Sequence, residues 1–117
     1  MDKTTDEGWI ARALELAIRE KGPDPANTPI AALVVHGGKL VAQGLNCTAE
    51  LCDATAHAEI MALRAAGKAI GAMRIPGATL YSTLQPCGMC TMASIWAGVS
   101  RIVYGAGRAD VHEMYFE

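Results

Sequence analysis

Two short motifs constrain this chain more than any other feature. His57-Ala58-Glu59 and Pro86-Cys87-Gly88-Met89-Cys90 lie thirty positions apart, and their side chains belong together only if the fold brings both segments to one point. One imidazole and two thiolates make a three-ligand zinc set, His57, Cys87 and Cys90, with a fourth tetrahedral position open to water, which is a catalytic layout. Cys87 and Cys90 are three apart behind a proline suited to a first helical turn. Both sulfurs then share one face at the positive end of a helix dipole, which favours thiolate over thiol. His57 completes the set if its own helix start faces the other. Glu59, two residues on, diverges from His57 on a regular helix and reads as a proton carrier beside the metal.

The elements around these motifs follow from periodicity and punctuation. A Thr-x-x-Glu capping box at Thr4 opens an amphipathic first helix with Ile10, Ala13, Leu14, Ala17 and Ile18 on its apolar face, stopped by Gly22-Pro23. Pro23 to Pro29 reads as a loop. Ile30 to Val35 and Lys39 to Gly44 flank His36-Gly37-Gly38 as a β-hairpin, and Asn46 to Thr55 is a polar loop. Ala56 to Ala66 is predicted helical, with Thr55 or Asp53 as cap and Gly67 as stop. Thr79 to Thr83 is a third strand after the Pro76-Gly77 loop. A helix from about Cys87 to Ala97 ends at Gly98, Arg101 to Tyr104 is a fourth strand, and Asp110 to Glu117 starts a last helix. Helices between the later strands imply an α/β protein whose later strands are parallel and covered by helices.

Composition narrows the classes. At 117 residues with 51% hydrophobic content, the expectation is one domain over residues 1–117 with one core. No apolar run approaches the eighteen or so residues of a membrane span, and Met1 to Thr5 lacks a signal-like start, so a soluble cytoplasmic protein is expected. Four cysteines in this pattern fit metal ligation in a reducing compartment better than disulfides. Cys47 and Cys52 are then free thiols, small and buried or half-buried. The competing reading is a non-enzymatic zinc module with one of them as fourth ligand. The net charge of -2 and pI near 5.9 give no broad basic field for a polyanion. Arg64, Lys68, Arg74, Arg101 and Arg108 are a candidate local patch, against the plainer reading of scattered surface charge. His36 reads as a solvated turn residue and His112 as an exposed helix position.

Ala54-Thr55-Ala56-His57-Ala58-Glu59-Ile60-Met61-Ala62-Leu63 and Thr79-Leu80-Tyr81-Ser82-Thr83-Leu84-Gln85-Pro86-Cys87-Gly88-Met89-Cys90 resemble the two signatures of the cytidine deaminase-like superfamily. The branch they resemble holds bacterial tRNA adenosine deaminases, guanine deaminases and fungal-type cytosine deaminases. The resemblance implies a three-layer α/β/α fold with an N-terminal antiparallel hairpin and later parallel strands. It implies Zn2+ on His57, Cys87 and Cys90, Glu59 as proton shuttle, and Asn46 hydrogen-bonding the substrate base; the residues alone mark Asn46 as a turn residue. The Ala58 backbone and Ser82 to Leu84 would line the pocket, Trp96 would be core more often than substrate contact, and a homodimer through helices near the site is expected. The implied reaction is hydrolytic removal of an exocyclic amine as ammonia. A free base or nucleoside of guanine or cytosine type is the first expectation, on the acidic balance, and a tRNA wobble adenosine the alternative. Relatives usually continue through a longer C-terminal helix, so the segment that would best name the substrate is expected to be short here.

Overall fold

The computed structural model describes residues 5–21 and 30–107. Helix α1 (Asp6–Lys21) is capped by Thr5, whose Oγ1 accepts the Gly8 amide at 3.1 Å. The cap therefore sits one residue past the expected Thr4, and Gly8 at its third helical position has no side chain to close a capping box. Asp6 and Glu7 in the first turn still complement the positive helix end. The buried face also differs from expectation. Trp9, Ala13, Leu16 and Ala17 face the sheet while Leu14 and Ile18 are exposed. Both stripes have helical spacing, and the one carrying the larger ring wins, since Trp9 packs with its centroid 6.2 Å from that of Tyr81.

Strands β1 (Ala31–His36) and β2 (Lys39–Leu45) form the expected hairpin. Gly37 and Gly38 both have positive φ, 61° and 75°, the pair of angles a mirror-image two-residue turn demands. β3 (Thr79–Leu84) pairs antiparallel with the other side of β1, and β4 (Arg101–Ala106) pairs parallel with β3. The order β2-β1-β3-β4 makes a mixed sheet in which β2, β3 and β4 share one direction. The helices after β2 and β3, α3 (Ala58–Ile70) and α4 (Gly88–Ala97), return along the same face, and α1 covers the other. The three layers explain why β1, with helices above and below, is buried from Ala31 to Val35 without alternation.

Two differences lie in the segment between β2 and β3. The expected polar loop contains a one-turn helix, α2 (Thr48–Leu51). Helix α3 runs through Gly67 to Ile70 and stops at Gly71, which takes φ 77°, while the Gly67 carbonyl accepts from the Gly71 and Ala72 amides at 2.8 and 3.1 Å. Gly67 costs about 1 kcal/mol inside a helix relative to alanine, and the continued packing of α3 outweighs it. The loop and helix expected at Pro23 to Pro29 and Asp110 to Glu117, and with them His112 and Arg108, lie outside the described residues. No described helix is long and apolar enough to cross a membrane.

Candidate metal centre

Two helix starts converge here. His57 is the N-cap of α3 and Cys87 the N-cap of α4, both with extended backbones, and neither side chain caps its own helix. Each is thus free to turn toward the other. His57 Nδ1 lies 3.5 Å from Cys87 Sγ and 3.4 Å from Cys90 Sγ, and the three donor atoms fall within 4.8 Å of one another. A tetrahedral zinc with its usual bond lengths to sulfur and imidazole nitrogen sets an N to S edge of roughly 3.5 Å. The observed edges match it. Soft thiolates with one imidazole are also a donor set zinc accepts, so the residues present fit the ion. Cys90 is buried and Cys87 half-buried at the N-terminal end of α4.

Cys47 is half-buried and Cys52 exposed, the latter in the left-handed region at φ 49° as the C-cap of α2. Exposure corrects the expectation of a buried thiol at Cys52, and its cause is the tight left-handed exit from a single helical turn. Neither cysteine joins the donor group, which has three members among the described residues. The four-ligand module loses its structural support.

What seats α3 so low is Gly44 on β2. A Cβ there would overlap the Ala58 carbonyl oxygen and the Ala62 amide nitrogen and lie 3.0 Å from the Met61 carbonyl carbon. Only a residue without a side chain lets the first turn of α3 rest on the strand. Glu59 in that turn is fully buried, as is Ala58. Sequence reasoning missed Gly44, and the signal available was an isolated glycine within a strand pattern.

The loop from β2 to α3 is tied at both ends. The Cys47 amide donates to the Ala56 carbonyl at 2.9 Å, beside His57. Asp53 Oδ1 accepts from the Thr55 amide and hydroxyl at 2.9 and 2.7 Å, and these bonds, with the Arg64 guanidinium 3.6 Å away, hold its carboxyl below the ordinary range. Asp53 and Thr55 thus form a turn, and the cap of α3 is His57. Asn46 is half-buried where β2 ends, and its Oδ1 accepts from the Thr48 amide at 3.4 Å, a turn contact.

Ser82 and Leu84 on β3 are buried on the α3 and α4 face, whereas Thr83 points the other way and accepts from the Ala31 amide at 3.2 Å. The Ser82 hydroxyl has no hydrogen-bond partner. Trp96 corrects another expectation: it is 70% exposed rather than core. It lines a groove of about 650 Å³ between α3 and α4 together with Ile60, Leu63, Lys68 and Met73. Of the candidate basic patch, Arg64 faces Asp53, Arg74 donates to the Trp96 carbonyl at 3.1 Å, and Arg101 pairs with Asp6 at 2.7 Å on the α1 side. Arg64 and Lys68 line the same groove and Arg74 bonds the backbone of Trp96 in its wall, whereas Arg101 lies on the α1 side of the sheet.

The family described as the cytidine and deoxycytidylate deaminase zinc-binding region matches residues 3–106. A tRNA-specific adenosine deaminase of Agrobacterium fabrum is 45% identical over 95 residues, 80% of this chain and 62% of that protein. A chloroplastic tRNA(adenine(34)) deaminase of Arabidopsis thaliana is 42% identical over 89% of this chain, which spans only 8% of that protein's length. The crystal structure of guanine deaminase from Bacillus subtilis superposes with a TM-score of 0.86 at 34% identity, covering 97% of this chain and 71% of that one.

Proposed function

We propose, from the premise that the chain belongs to the cytidine and deoxycytidylate deaminase zinc-binding family, that it is a hydrolytic deaminase acting on the exocyclic amine of a nucleobase or nucleoside. The observation that carries this reading is the 3.4 and 3.5 Å approach of His57 Nδ1 to two cysteine sulfurs, with the Glu59 carboxylate buried one residue beyond Ala58. His57, Cys87 and Cys90 hold zinc. When bound, the ion supplies Lewis acidity and lowers the pKa of a bound water from about 15.7 toward 7.

The chain's own groups do the rest. Glu59 takes a proton from the attacking water and passes it to a ring nitrogen of the base, then takes the remaining proton of the added hydroxyl and delivers it to the departing amine, help typically worth about 10² to 10⁴ in rate. Water and the aminated ring are consumed, and the carbonyl product and ammonia are released. Asn46, the residue after β2, offers an amide that both donates and accepts, which suits a base edge, and the Ala58 backbone is the second proposed contact.

A small purine or related base, with guanine ahead of cytosine, is the substrate we favour. The guanine deaminase likeness covers 97% of the chain, and a net charge of -2 gives no broad basic field for a polyanion. A tRNA wobble adenosine is the second reading, favoured by the 45% identity to a tRNA-specific adenosine deaminase. Such a substrate needs phosphate contacts and a splayed base.

The assembly proposed is a homodimer through the α3 and α4 face, where the exposed Met73 and Trp96 line the groove and Met92 and Ile95 are exposed on α4. The thiolate ligands and free cysteines suit a reducing, cytoplasmic setting.

The deciding experiment follows ammonia release from guanine, cytosine, their nucleosides, adenosine and a tRNA anticodon stem-loop, each between about 50 and 200 mM salt. A small-base enzyme gives a flat kcat/KM profile, whereas RNA held by several phosphates loses orders of magnitude in affinity. Turnover of the stem-loop alone, falling steeply with salt, reverses the ranking. No ammonia from any substrate with zinc bound refutes the deaminase reading.

A further inference from the structure

The sheet face beneath α3 and α4 carries a row of directly opposed residues, Gly44 on β2, Ala32 on β1, Ser82 on β3 and Tyr104 on β4. Gly44 lies under Ala58 and Ala62, so this row runs below the helix start that holds His57 and Glu59. Ser82 is fully buried in it, and its Oγ has no hydrogen-bond partner. A buried hydroxyl left that way is costly, and such groups in folded proteins are satisfied by protein or by ordered water.

No sheet neighbour bonds it: Ala32 beside it presents a methyl group, Leu80 and Leu84 flank it on the same face, and Tyr104 on its other side is 45% exposed. From above, three buried residues of the described chain are polar: Glu59, Ser82 itself and Ser94. Ser94 lies on α4, and its hydroxyl hydrogen is committed to the Cys90 carbonyl at 2.7 Å. The oxygen of Ser94 still has acceptor lone pairs, and the Glu59 carboxylate offers two more acceptor oxygens. A buried water needs two or more polar neighbours to be held, and Ser82, Ser94 and Glu59 are the buried polar side chains available to it among the described residues.

We propose that Ser82 is a positioning residue whose hydroxyl anchors a buried water that holds the Glu59 carboxylate in its working orientation. The inference rests on the reading of Glu59 as the proton carrier. Ser82 forms no bond with substrate and acts through Glu59 alone. An orphan hydroxyl kept for positioning has a signature that a packing role lacks. Removing it spares the fold and zinc yet slows the chemistry.

The test compares Ser82→Ala and Ser82→Thr with the wild-type zinc protein in kcat, KM, zinc content and Tm, alongside a crystal structure of the zinc-loaded wild type. The expected result is about a tenfold lower kcat for Ser82→Ala, milder than loss of the proton carrier itself. KM, zinc content and Tm should stay unchanged or Tm rise. Ser82→Thr, which keeps the hydroxyl and suits a strand, restores kcat. In the crystal a water lies within hydrogen-bond distance of Ser82 Oγ and a Glu59 oxygen. Wild-type kcat in Ser82→Ala overturns the proposal, as does a loss of activity that merely tracks lost zinc or Tm. If the wild type turns over no substrate, the deaminase reading fails by itself, and the crystal then decides: no water bridging Ser82 and Glu59 overturns the positioning role.

Discussion

Replacing Gly44 with alanine should disable the metal centre from the far side of a helix. The new Cβ would meet the Ala58 oxygen and the Ala62 nitrogen well inside van der Waals contact, with the Met61 carbonyl carbon at 3.0 Å. All three are backbone atoms of α3, so no side chain can swing away. Restoring ordinary separations of about 3.5 Å requires the first turn of α3 to lift by roughly 1 Å. Overpacking of this kind costs about 1–3 kcal/mol, which for a chain of this size lowers Tm by about 5–15 °C. The lift carries His57 and Glu59 with it, and a misplacement near 1 Å is worth about 10² in rate. Thermal denaturation, zinc competition with a chelator and ammonia release measure the three effects together. Gly88→Ala is the control, because a Cβ at Gly88, in the first turn of α4, meets nothing within 4 Å. If Gly44→Ala keeps wild-type Tm, zinc affinity and turnover, the close seating of α3 on β2 does not govern the site.

Cys87→Ala should lose zinc and stability together, since metal binding is coupled to folding, and a variant with full zinc content would remove Cys87 from the ligand set. Glu59→Gln should keep zinc and fold while turnover falls below about a tenth of wild type, and higher residual activity would assign proton transfer to another group. Asn46→Ala should raise KM more than it lowers zinc content, and unchanged kinetics would leave only its turn bond to Thr48. Asp6 accepts from the Tyr81 hydroxyl at 2.6 Å and pairs with Arg101, a latch between α1 and the sheet that predicts a pH response at both extremes. Arg101 and then Tyr81 hold the Asp6 carboxyl below 3.8, so its contribution is present above the unfolded value and lost as pH falls through the folded one. Burial and then Asp6 push Tyr81 up from 10.0 to about 12, so its contribution is complete below 10.0 and lost as pH rises through about 12. Asp6→Asn should flatten the acid limb of a Tm-against-pH curve, and an unaltered limb would show that the latch adds nothing.

The cluster of His57, Cys87 and Cys90 was readable because each of its signals is local. A proline before Cys87 and a glycine after Ala97 bracket α4, and the three-residue cysteine spacing needs only a helix to bring both sulfurs to one side. The hairpin turn at Gly37 and Gly38 was equally local. What escaped were choices between equivalent local signals. Thr4 and Thr5 can each cap a helix, Gly67 and Gly71 can each end one, and α1 carries two apolar stripes of the right period. Packing breaks each tie: Trp9 finds Tyr81, and Gly71 takes the left-handed angle. Trp96 failed differently, because an apolar position on a helix says nothing about which side its neighbours occupy.

The same distinction explains why Gly44 and Ser82 matter more than their sequence context suggested. Each breaks a local rule, a glycine inside a strand and a hydroxyl inside an apolar layer, and each lies in the row under the helix start that carries His57. Departures of this kind concentrate where function demands them, because elsewhere a larger apolar side chain would pack better. Gly44 gives up strand stability to let α3 approach, and Ser82 gives up core stability for one buried hydroxyl. Within the described sheet the two rule-breaking positions are separated by Ala32 alone, so three small residues on adjacent strands form one cross-strand stretch, with Gly44 setting how closely the first turn of α3 approaches.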